Sequence, residues 1–169
     1  TQYWGDGFWN LLAFTMQMTV ILLAGYIMAR TPVVDWLMEK LIAPVTTPRG
    51  AIIAATLIAC VASWLNWGFG LVIGTLIAQK LGHKVKGLHY PLVIAAGYSG
   101  FTLYGIGLSG SVPLLINTPG HFLEKTIGLV PLSDTIFSVP VLGASIIIAL
   151  TMPFFIAMLH PKKASDIIE

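Results

Sequence analysis

The sequence has 169 residues, of which 56% are hydrophobic and 9% charged, with a net charge of +2. Soluble domains carry about 25% charged residues, so a water-facing surface cannot be built from this chain, and it reads as an all-α integral membrane protein. That excludes an ordinary cytosolic enzyme, a disordered tail and a nucleic-acid binder, and the single cysteine, Cys60, excludes an internal disulfide framework and a Cys-built zinc site.

The first residues, Thr1 to Asp6, carry no basic cluster ahead of the apolar run, so the start is not a signal peptide and the chain reads as a piece of a longer membrane protein. Residues 7–29 are free of charge and long enough to cross a bilayer core, with Trp4 and Trp9 as interfacial anchors. In residues 33–43, Val33, Val34, Leu37, Met38, Leu41 and Ile42 repeat at helical spacing, with Asp35, Glu39 and Lys40 opposite. This segment is too short to span, so it is expected to be a helix lying in the interface.

Residues 50–79 are again free of charge, and here the basic residues conflict. Lys and Arg collect on the cytoplasmic side in short loops. Arg30, Lys40 and Arg49 precede this segment, and Lys80, Lys84 and Lys86 follow it. A single crossing would put the two groups on opposite faces. A re-entrant helical hairpin returns them to the same face. Its tip would lie in Ser63-Trp64-Leu65-Asn66-Trp67-Gly68-Phe69-Gly70, where Asn and Gly suit turn geometry. With the N-terminus outside, eight of the nine basic residues then face the cytoplasm, Lys125 excepted. Lys80, Lys84 and Lys86 are expected to set the topology and touch anionic lipid.

Residues 90–123 are too long for one straight helix and contain Tyr98-Ser99-Gly100-Phe101-Thr102-Leu103-Tyr104-Gly105-Ile106-Gly107-Leu108-Ser109-Gly110-Ser111-Val112-Pro113. Each glycine costs a helix interior about 1 kcal/mol relative to alanine, and Pro113 disfavours helix before it. The helix is expected to unwind around residues 105–111, whereas Gly97, Ser99 and Gly100 suit close helix packing. A second break falls at Asn117-Thr118-Pro119-Gly120. Glu124 and Asp134 read as solvated, and residues 135–160 form the last span.

Two broken elements free backbone amides for an anion and carbonyls for a cation, as in secondary transporters built from inverted repeats. The candidate binding residues are Ser63, Asn66, Trp67, Gly68, Gly105, Gly107, Ser109, Gly110, Ser111 and Thr118, with Trp64, Trp67 and Phe69 as an apolar wall. No catalytic residue and no resident cofactor or metal is expected. The coupling ion would be Na⁺ or H⁺, and oxygens at Ser63, Asn66 and Gly110 would suit Na⁺.

Several long runs resemble the bacterial short-chain fatty acid (acetoacetate and butyrate) transporter family. They are Tyr3-Trp4-Gly5-Asp6-Gly7-Phe8-Trp9-Asn10-Leu11-Leu12-Ala13-Phe14, Met16-Gln17-Met18, Asn66-Trp67-Gly68-Phe69-Gly70-Leu71-Val72, Tyr90-Pro91-Leu92, Ser109-Gly110-Ser111 with Pro113-Leu114, and Thr118-Pro119-Gly120. The family looks like a branch of the ion-transporter superfamily. The resemblance implies one half of an inverted-repeat transporter: span, interfacial helix, re-entrant hairpin, broken helix, span. It implies uptake of a short-chain monocarboxylate across the bacterial inner membrane, a missing second repeat as partner, and a homodimer as one assembly it allows. The superfamily's Ser-Asn-Thr-like tip is matched here by Ser63 and Asn66, with Trp67-Gly68 in place of the threonine.

Three other functions fit parts of the pattern. One is transport of another organic anion within the same superfamily. A second is a membrane subunit that only packs or senses. A third is an intramembrane serine protease, since Gly107-Leu108-Ser109-Gly110 resembles a Gly-x-Ser-Gly motif. That chemistry needs a histidine base at the depth of Ser109. His83, His89, His121 and His160 all fall in or beside loops.

Overall fold

A computed structural model of the chain describes residues 2–121 and 123–168, with the side chains of residues 2, 3, 6, 7, 10, 11, 13, 14, 17 and 18 outside that description, Asp6 and Gln17 among them. The described residues are helical and contain no strand. Helix α1 runs Gln2–Ala29 and encloses the predicted first span, starting five residues before it. Helix α2 runs Pro32–Ile42, where the interfacial helix is expected. Thr31 starts it by accepting a hydrogen bond from the Val34 N–H, with Pro32 in the first turn, where no donor is wasted. The last part of α1 and α2 meet at 65°.

Helices α3 (Pro48–Leu65) and α4 (Trp67–Lys84) have 18 residues each and are joined by the single extended residue Asn66. They fold back on one another as an antiparallel hairpin. At its tip Gly70 lies directly on Ser63. At its open end the Lys84 ammonium reaches back to the carbonyls of Ile42 (2.5 Å) and Ala43 (2.8 Å), just before α3. The arms are longer than a half-bilayer hairpin needs, each about 27 Å at helical rise. Lys80 adds a second tie to α2, with Asp35 at 2.9 Å and Glu39 closer still. Hydrogen bonds to Glu39 and Asp35 raise the Lys80 pKa above its ordinary value.

Helix α5 (Tyr90–Ser99) continues as a tighter 3₁₀ stretch, Gly100–Ile106, and the chain then leaves helix until α6 (Ser111–Ile116). Short α7 (Glu124–Ile127) and a 3₁₀ turn lead to α8 (Val139–Met158), which begins four residues after the predicted start of the last span because residues 135–138 form a turn. The α3–α4 hairpin is the centre of the packing. Helix α1 and helix α5 pack on α4, while the 3₁₀ stretch, α5 and α8 pack on α3.

Small residues set these distances. A Cβ on Gly74 or on Gly97 would strike the backbone of the other, and one on Gly100 would strike Ala59. Gly25 of α1 sits so close to α4 that a Cβ would lie 2.8 Å from the Phe69 nitrogen. Such contacts let membrane helices approach backbone to backbone.

Among the described residues, three helical stretches are long and apolar enough to cross a membrane (Pro48–Leu65, Tyr90–Ile116 and Val139–Met158), and up to four if the bent α1–α2 pair counts as one span. Their outer faces remain apolar. Val20, Leu23 and Ile27 on α1, and Ile147, Phe155 and Met158 on α8, are exposed. A water-soluble monomer rarely exposes so much contiguous apolar surface, whereas a lipid-facing one must.

Candidate functional site

The hairpin tip begins with Asn66. Its extended backbone ends α3, and its side-chain oxygen accepts the Phe69 N–H at 3.0 Å, capping α4. Asparagine is among the best residues for that position. One residue therefore closes one helix and opens the next, so the break needs no glycine. Gly68 and Gly70 lie inside the first turn of α4, which corrects the expectation that they form the turn. Their role is proximity: Gly70 admits Ser63, and a Cβ on Gly68 would lie 3.3 Å from Ile21 of α1.

The second break meets this tip. The chain unwinds over residues 107–110, within the expected range. Gly107 lies so close to Trp64 that a Cβ would strike its backbone. The Leu108 N–H donates to the Trp64 carbonyl at 2.7 Å, and the Trp67 N–H donates to the Ser109 hydroxyl oxygen at 2.8 Å. Two elements more than 40 residues apart are thus fastened at their breaks by one backbone–backbone bond and one backbone–side-chain bond. Gly110 is tucked into the same loop, its N–H donating to the Gly107 carbonyl at 3.0 Å.

Within this junction the polar groups are unevenly satisfied. Of the first α4 donors, Trp67 N–H is held by Ser109, Phe69 N–H by Asn66 Oδ1 and Gly70 N–H by the Asn66 carbonyl. Gly68 N–H is left without a partner among the described residues. Ser63 is 1% exposed, and its hydroxyl is the buried side-chain oxygen without a hydrogen bond among them. Ser109 accepts through its oxygen, so its own proton is available to a further acceptor. A buried unsatisfied polar group costs about 1–3 kcal/mol, which a ligand supplying the missing partner would return. The α4 N-terminus also carries partial positive charge.

The remaining predicted residues separate from this cluster. Gly105 has open space where a Cβ would be. Ser111 begins α6 and is exposed, and Thr118 is exposed with its hydroxyl donating to the Leu114 carbonyl at 2.7 Å. The three positions expected to suit Na⁺ are not gathered by any direct contact. Asn66 Oδ1 caps α4, the Gly110 carbonyl accepts the Leu114 N–H, and Ser63 is open. Among the described residues there is no cluster of three His, Cys, Asp or Glu side chains fit to hold a metal.

The aromatic wall is divided. Trp64 lines an apolar cavity of about 210 Å³ with Cys60, Leu103 and Leu142, while Phe69 lines another of about 300 Å³ with Leu37, Met38 and Ile73. Sequence reasoning missed the Trp64 carbonyl and the Leu108 N–H, because backbone groups leave no signature in residue type.

A profile described as short chain fatty acid transporter matches residues 1–169. A relative from Escherichia coli (strain K12), provisionally named a short-chain fatty acid transporter, is 42% identical over 166 residues, covering 98% of this chain and 38% of the relative. A relative from Haemophilus influenzae with the same provisional name is 35% identical over 167 residues, covering 95% of this chain and 37% of the relative. The chain thus spans well under half the length of these relatives. No solved structure matches it. The helical breaks and lipid-facing surfaces described above are those of a chain that belongs to the short-chain fatty acid transporter family.

Proposed function

We propose that the whole protein, of which this chain is one part, takes up short-chain fatty acids such as butyrate or acetoacetate through a bacterial inner membrane as an ion-coupled secondary transporter. The observation that carries this reading is the junction of the two breaks. There the Ser63 hydroxyl, the Gly68 N–H and the Ser109 proton stand unengaged beside the positive end of α4. A carboxylate accepts from all three kinds of donor and needs no cationic side chain to do so. The family membership supports the substrate class.

In this reading α3 and α4 form a re-entrant hairpin whose tip lies at membrane depth. Irregular backbone at that depth is tolerated where protein or a water-filled cavity surrounds it, and α1 and the residues 107–110 supply protein here. Na⁺ or H⁺ moves with the acid as co-substrate. A second, inverted copy of the same arrangement lies elsewhere in the protein and completes the pathway.

Purified full-length protein in liposomes tests the reading. Labelled butyrate should accumulate when a Na⁺ or proton gradient is imposed, and unlabelled acetoacetate should compete. No accumulation under either gradient would sink it.

A further inference from the structure

The far end of the hairpin from the tip holds a second polar cluster. After α8 the chain turns back through a 3₁₀ turn, Ala164–Asp166, and docks on the start of α5. The Tyr90 N–H donates to the Ile168 carbonyl at 2.7 Å. The Ile168 N–H donates to His89 Nδ1 at 3.1 Å, and the His89 N–H donates to His160 Nε2 at 3.3 Å. The other nitrogen of His160, Nδ1, lies 2.9 Å from the Pro161 carbonyl. These partners fix both tautomers. His89 must carry its proton on Nε2 and His160 on Nδ1, because each ring uses its remaining nitrogen as an acceptor. A doubly protonated ring has no acceptor and would present an N–H to an N–H.

We propose that His89 and His160 form an acid-released latch that pins the segment after α8 to the first turn of α5. Neutral rings close it. Protonation removes both ring-accepted bonds together, leaving the Tyr90–Ile168 bond to hold the segment by itself. The charged and titratable groups of the surrounding elements are His83 and Lys84 at the end of α4, Lys86 and Tyr90 beside His89, and Lys162, Lys163 and Asp166 after α8. Among the described residues no carboxylate lies within ion-pair distance of either ring, since the ion pairs found are those of Lys80. A neutral imidazole becomes cationic on acidification, so acid is what opens the latch.

Hydrogen exchange of the full-length protein in nanodiscs tests the latch without reference to transport. After correction for intrinsic rates, the His89 and Ile168 amides should lose roughly tenfold in protection between about pH 8 and pH 5, as expected for hydrogen bonds of ordinary strength. The variant His89→Asn/His160→Gln keeps an acceptor oxygen at both positions and cannot titrate. Its protection should be the same at both pH values. Wild-type protection that does not change with pH overturns the proposal, and so does a change that persists in the variant.

Discussion

The N–H of Trp67 donates to the hydroxyl of Ser109 across 2.8 Å, although 42 residues separate them in the chain. Trp67 opens α4 after the hairpin tip, and Ser109 lies within the unwound residues 107–110 that follow the 3₁₀ stretch. Each break frees a group that the other satisfies. The two discontinuities are therefore one structure.

Ser109→Ala removes the acceptor for Trp67 and the proton offered to a ligand. We expect a stability loss of about 1–2 kcal/mol and a much larger fall in butyrate uptake, at least tenfold. Ser109→Thr keeps the hydroxyl and should retain part of the uptake. Thermal unfolding of the detergent-solubilised full-length protein and uptake in liposomes, measured side by side, separate the two effects.

Ser63 predicts the opposite balance. Its hydroxyl is buried without a partner, so Ser63→Ala should leave stability unchanged or raise it by up to about 1 kcal/mol. Uptake should nonetheless fall, because a donor intended for the substrate is gone. A variant that is as stable as wild type and transports normally would remove Ser63 from the site.

The glycines divide by what surrounds them. Gly107→Ala and Gly70→Ala would drive a methyl into the backbone of Trp64 and Ser63, where nothing flexible can yield. Overpacking of this kind costs about 1–3 kcal/mol and separates the two breaks. Gly105→Ala meets open space and should be tolerated. Size-exclusion profiles after mild heating should rank the three, with Gly105→Ala beside wild type.

Lys80 links α4 to Asp35 and Glu39 of α2. Both partners are exposed, so Lys80→Met should cost no more than about 1 kcal/mol. The folded pKa of Lys80 is raised, so its contribution is present below the unfolded value of about 10.4 and disappears as pH climbs through the folded value. Melting curves of wild type and variant should converge at strongly alkaline pH and differ at neutral pH.

Much of this architecture is legible in the chain because membrane segments advertise themselves. Charge-free runs mark the helices, and the conflict between Lys and Arg on either side of residues 50–79 points to a fold-back at Asn66. The unwinding near Ser109 follows from glycine density before Pro113. What escapes is whatever depends on backbone meeting backbone. Gly68 and Gly70 suggest a turn by composition, yet both are helical, because a single capping asparagine suffices. The 3₁₀ stretch from Gly100 arises where that glycine presses on Ala59, a tertiary contact no local pattern encodes. The division of Trp64 and Phe69 between two cavities likewise depends on which neighbours each hairpin face receives.

Cysteine protection reports whether a carboxylate binds where the two breaks meet. In a Cys60→Ala background, Leu108→Cys places a partly exposed thiol on the unwound loop, next to Ser109. Butyrate should slow maleimide labelling of this thiol in the full-length protein, and butylamine of the same size should not. Labelling that butyrate leaves unchanged, in a variant that still transports it, would contradict the claim.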